Sequence, residues 1–234
     1  MLVTTGLLRF GKRSDQPIPI TALNSRLLET FLQAAIRPIL TVRDFSTEFR
    51  TIEILEQSDA ATRGVDSFAL AIIKVERQLR KLFTFLIFQY PSLRAVGVPT
   101  LRDLLYSKRI YSSGMIQGIN EIAPKSIKEL IGVEHDVLFG RLGDATEIRN
   151  KIFHGQVTDQ HLSRSQLFEY VHFLRQWCSL LAVSAEAEFG YDGFGSNSYR
   201  QSADQNFVVR LKRQINSLDD YAQLLDVLKR VPPL

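Results

Sequence analysis

The chain has 234 residues, 45% of them apolar and 23% charged, with 29 Lys and Arg against 25 Asp and Glu for a formal charge of +4. That balance belongs to a folded protein with a buried core and excludes disordered, collagen-like and low-complexity classes. One cysteine, Cys178, excludes an internal disulfide and a cysteine-rich zinc site, and fits the reducing cytoplasm.

The longest apolar run, Leu82 to Phe88, falls far short of the roughly 20 residues that cross a bilayer, so no membrane partner is expected. The first residues lack the basic start, apolar middle and small-residue cleavage site of a secretory signal. The slight positive charge helps a polyanion approach without demanding one.

Residues 1–19, with Gly6, Gly11, Pro17 and Pro19, read as an N-terminal arm. Thr21 then caps a helix carrying Leu23, Leu27 and Phe31 inward until Pro38. A second helix is expected over Thr47 to Gln57, with Phe49 and Ile52 on successive turns. The clearest runs from Val65 to Tyr90: Phe68, Ile72, Val75, Leu79, Leu82, Phe83 and Leu86 keep a helical period, and Pro91 supplies the stop.

A short helix follows over Thr100 to Tyr106. Ser112, Ser113 and Gly114 then read as a break before a variable segment ending near Pro124. Ser126 to Leu130 and Val133 to Phe139 form helical turns that Gly140 and Gly143 interrupt. Asp144 and Glu147 have capping-box spacing for a helix starting at Ala145, carrying Ile148 and Ile152 inward and ending at Gly155. Ser163 and Gln166 repeat that spacing before an amphipathic helix with Leu167, Val171, Leu174, Cys178 and Leu181 inward. Residues 191–234 form a C-terminal accessory segment: a surface loop to Asn206 with Tyr191 and Phe194 available to stack on a base, a strand or helix over Phe207 to Ile215, and a last helix from Ser217 to Arg230.

Two places carry chemistry. Glu76 lies inside the apolar stripe of the long helix, where an unpaired carboxylate would cost several kcal/mol. It must be neutralised, hydrated or matched with a cation from another helix; Arg80, one turn on, is the local partner for a purely structural pair, and a polar site is the other reading. The second place is Arg149, Asn150, Lys151, Ile152, Phe153, His154, Gly155. In a continuous helix Arg149 and His154 diverge, but unwinding at Gly155 lets the imidazole swing back. Imidazole passes protons near neutral pH, whereas guanidinium offers fixed positive hydrogen bonds to phosphate oxygens. Together they suit phosphodiester cleavage.

An Arg, a polar residue directly after it, a short spacer and a His resembles the motif of the HEPN superfamily, here Arg149, Asn150 and His154. The resemblance covers residues 20–190 and implies an all-α, up-and-down helical bundle with accessory segments at both ends. It implies a metal-independent endoribonuclease without cofactor, commonly a toxin or antiphage defence effector, acting on RNA as a homodimer whose paired motifs share a cleft. A neutralising antitoxin or defence partner comes with that class. Many members carry an acidic residue on an earlier helix, the place Glu76 takes. Members modified by a nucleotidyltransferase antitoxin have Tyr two residues after the His, where this chain has Gln156, so that regulation is not expected. In the mechanism so implied, His154 moves the proton, Arg149 stabilises the phosphorane, Asn150 orients phosphate or imidazole, and Glu76 holds Arg149. A noncatalytic binding or scaffolding module of the same fold is the alternative.

The remaining candidates have structural explanations. His161 and His172 lack zinc-ligand spacing, so no metal site is expected, and Cys178 reads as a small buried hydrophobe. Arg210, Lys212 and Arg213 form a basic run that touches RNA phosphates or simply faces solvent.

Overall fold

A computed structural model describes residues 46–153, 162–195 and 197–234. The expected arm, the helix from Thr21 to Pro38, and His154, Gly155, Gln156 and His161 lie outside the described residues. The chain divides after Val42, and Arg43–Leu234 is one unit.

Among the described residues every regular element is helical: α1 (Ser46–Gln57), α2 (Arg63–Phe88), α3 (Pro91–Val96), α4 (Val98–Ser107), α5 (Ser112–Ile122), α6 (Ile127–Ile131), α7 (His135–Phe153), α8 (Arg164–Phe189) and α9 (Leu218–Leu228), with 3-10 turns at Gly132–Glu134 and Phe207–Arg210. The fold is all-α. No described helix is long and apolar enough to cross a membrane.

The central helix is α2. Its buried residues Phe68, Ile72, Val75, Leu79, Leu82 and Phe83 pack chiefly against α8, with α1 and α5 on its other flanks, while α7 lies on α8. Pro91 ends α2 indirectly: it forces Tyr90 into extended backbone (ψ 121°) and itself opens α3 at the first helical position. The Ser163 capping box on α8 forms as the sequence predicts, and Ser217 with Asp220 makes another on α9.

Three local expectations are corrected, and each involves glycine. Ser112, Ser113 and Gly114 open α5 instead of breaking the chain. A methyl on Gly114 would lie 2.6 Å from the Leu228 carbonyl oxygen, and one on Gly118 would lie 2.6 Å from Phe83 Cε2. These glycines let α5 approach α9 and α2 closely. Gly140 and Gly143 sit inside a continuous α7, so the helix does not restart at Ala145. Asp144 lies 3.9 Å from Arg141, and Glu147 pairs with Lys151 at 2.8 Å. A helix-interior glycine costs only about 1 kcal/mol, and burial of Leu138, Leu142, Ala145 and Ile148 along one face of α7 outweighs it.

The third correction concerns the loop after α8, which is no surface platform. Tyr191 is 1% and Phe194 2% exposed, and Tyr191 stacks on Phe85 at 4.9 Å. Gly193, at φ +83°, turns the chain onto Gln78, whose Nε2 donates to the carbonyls of Cys178 (3.0 Å) and Asp192 (3.2 Å). On α9, Tyr221, Leu224, Leu225 and Leu228 enter the same core, so the C-terminal segment contributes to it throughout.

Candidate active site

Arg149 lies in the last turns of α7 and points at α2. Its Nη2 donates to Glu76 Oε1 at 3.0 Å, with side-chain exposures of 25% for Arg149 and 37% for Glu76. Glu76 therefore sits at the edge of the apolar stripe instead of deep inside it, and its partner comes from another helix. Arg80 is engaged elsewhere, with its guanidinium carbon 5.6 Å from the centre of the Tyr106 ring. Ser112 Oγ, at the start of α5, also donates to Glu76 Oε1, at 3.5 Å. Three helices remote in sequence thus meet at one carboxylate oxygen.

The Nε of Arg149 is buried and has no hydrogen-bond partner among the described residues. A buried guanidinium N–H left open is costly unless an acceptor reaches it. Asn150 is turned about 100° around the helix from Arg149. It lines an open groove with Phe139, Gly140, Gly143, Glu147 and Leu234. Arg149 and Glu76 are brought into contact, Asn150 lines a groove whose walls include neither of them, and His154 lies outside the described residues.

The dismissed candidates behave structurally. Cys178 is fully buried, and burial pushes its thiol well above the ordinary range, away from nucleophilic use. His172 is exposed on α8. In the basic run, Arg213 pairs with Glu121 at 2.6 Å and Arg210 with Glu188 at 3.4 Å, so two of its three cations brace the C-terminal segment.

Sequence reasoning missed Ser112, which was absorbed into an expected break. It also missed the α4–α5 turn, where Tyr106 and Tyr111 are 58% and 54% exposed and Arg109 adopts left-handed backbone (φ 49°). Two large aromatic rings around an arginine within six residues was the available signal. No protein-family model, curated protein or solved structure matches the chain.

Proposed function

We propose that the chain is a HEPN-type, metal-independent endoribonuclease of the toxin or antiphage defence class. The observation that carries this reading is the Arg149–Glu76 ion pair, in which a carboxylate from the core helix holds the motif arginine while both side chains keep some contact with solvent. A guanidinium so fixed is set to stabilise charge on a phosphate without reorganising during the reaction.

In the reaction, His154 takes the proton from a ribose 2′-hydroxyl, the 2′-oxygen bonds to phosphorus, and the bond to the 5′-oxygen breaks. The proton passes to that leaving oxygen, giving a 2′,3′-cyclic phosphate and a 5′-hydroxyl. Arg149 stabilises the crowded phosphorane, and proton transfer by His154 contributes a factor of about 10² to 10⁴. Use of the 2′-hydroxyl makes RNA the substrate and leaves DNA uncut. Pairing of two subunits is supported by the face of α7: Val137 is 66% exposed, and among the described residues nothing lies within 4 Å of a methyl built on Gly140 or Gly143.

Labelled RNA incubated with the protein in EDTA tests the reading. Cutting that persists in EDTA and vanishes in both Arg149→Ala and His154→Ala supports it; cutting unchanged in those variants comes from elsewhere and defeats it. The same ion pair also favours a noncatalytic module in which Arg149 braces α7 on α2. That reading predicts RNA or protein binding without cleavage, and a loss of stability in Arg149→Ala.

A further inference from the structure

The α4–α5 turn lies against α2 at two points, Tyr106 under Arg80 at 5.6 Å and Ser112 on Glu76 at 3.5 Å. Those two α2 residues are one helical turn apart, so the turn straddles the stretch of α2 that leads to the Glu76–Arg149 pair. On this surface Arg77 is exposed and lies three residues before Arg80, on the same side of α2. Arg109 adds charge from the turn. The carboxylates present are already matched, Asp103 lying 3.6 Å from Arg102 and Glu76 3.0 Å from Arg149. Among the described residues neither Arg77 nor Arg109 forms an ion pair.

We propose that Tyr106, Tyr111, Arg77, Arg80 and Arg109 form a track that binds single-stranded RNA and feeds it to Arg149. The proposal deepens the nuclease reading, since it names the form of the substrate. Tyr106 carries Arg80 on one side yet is 58% exposed, which leaves ring surface for an unstacked base, and Tyr111 is 54% exposed. Base–aromatic stacking needs bases freed from a duplex and tolerates any sequence. Arginines along α2 and the turn supply the phosphate contacts. Arg109 holds a left-handed conformation that glycine adopts without strain. Its long cationic side chain, not its backbone, fits that position to a polyanion.

The test uses the full chain carrying His154→Ala, so that RNA survives, and a short fluorescein-labelled uridine oligonucleotide read by anisotropy. Binding is expected, and Tyr106→Ala and Tyr111→Ala should each weaken it at least about 5-fold. Raising salt from about 50 to 200 mM should weaken it about 20-fold for three phosphate contacts. Arg109→Gly should also weaken binding while its melting temperature stays level or rises, which separates a ligand contact from damage to the fold. No binding by the His154→Ala chain, equal affinity in a folded Tyr106→Ala/Tyr111→Ala chain, or tighter binding of a duplex of the same length would overturn the track. Wild-type cleavage with affinity unchanged in those variants would sink the track and leave the nuclease standing. Tyrosine-dependent binding without cleavage would do the reverse.

Discussion

Arg149 on α7 donates to Glu76 on α2 at 3.0 Å across 73 residues of sequence. Both side chains retain solvent contact, so the pair falls in the range of partly exposed ion pairs, about 1 kcal/mol or less. Under the proposed nuclease reading, its effect on chemistry should be larger than its effect on folding. Glu76→Gln keeps an acceptor oxygen but loses the charge. It should leave the melting temperature within a few degrees while lowering kcat on RNA about 10-fold, with KM nearly constant. Glu76→Ala should lower kcat further. A Glu76→Gln chain that cut RNA with full kcat would remove Glu76 from any positioning role.

Four glycines in two helices should respond in opposite directions to the same change. Gly140→Ala and Gly143→Ala meet nothing among the described residues and should stabilise the chain by about 0.5–1 kcal/mol each, at a concentration where sedimentation finds single chains. Gly118→Ala drives a methyl to 2.7 Å from Leu228 Cδ1, and Gly114→Ala drives one against the Leu228 carbonyl. Both should cost about 1–3 kcal/mol by urea denaturation despite better helix propensity. If a second copy sits on this face of α7, Gly140→Ala should also shift association toward single chains.

These glycines mark where the fold was legible in the sequence and where it was not. Apolar periodicity located α1, α2 and α8, because burial of one face dominates such a helix. It could not say whether Gly114 breaks a helix or admits a neighbour, since that depends on Leu228, distant in sequence. The buried loop aromatics Tyr191 and Phe194 were misread for the same reason: their environment is set by Phe85 and Gln78 on α2. Of the candidate site, the oddity of a carboxylate at position 76 was readable from helical phase. Its choice of Arg149 over Arg80 was not, because Tyr106 claims Arg80.

Gln78 fastens three parts of the molecule and should be costly to remove. Its amide bonds the backbone of α8 at Cys178 and of the following loop at Asp192, from a fully buried position. Gln78→Ala leaves a cavity and strips the Asp192 carbonyl of this donor, with an expected loss of about 2–3 kcal/mol. Gly193→Ala attacks the same joint from the other side, since its methyl would lie 2.6 Å from Gln78 Cγ at a φ of +83°. Proteolysis should then nick the 190–206 loop first. Variants as protease-resistant as the parent would show that the loop is held independently of Gln78.

Three buried groups set an alkaline limit on stability. Burial raises the pKa values of the Tyr90 and Tyr221 phenols and the Cys178 thiol well above their ordinary values. Each is neutral when protonated, so the folded chain retains protons that the unfolded chain releases at about pH 8.5 for the thiol and 10 for the phenols. Their contribution to stability is therefore complete below about pH 8.5 and is lost as pH rises toward the folded-state values. Each group ionised only in the unfolded chain subtracts about 1.4 kcal/mol per pH unit. Urea midpoints should hold level up to about pH 8.5 and fall with increasing slope through pH 11. Tyr90 also donates from its hydroxyl to the Arg213 carbonyl at 2.6 Å, so Tyr90→Phe should cost about 1 kcal/mol at neutral pH yet flatten the alkaline fall. A Tyr90→Phe curve parallel to that of the parent above pH 10 would mean that this phenol does not stay protonated in the fold.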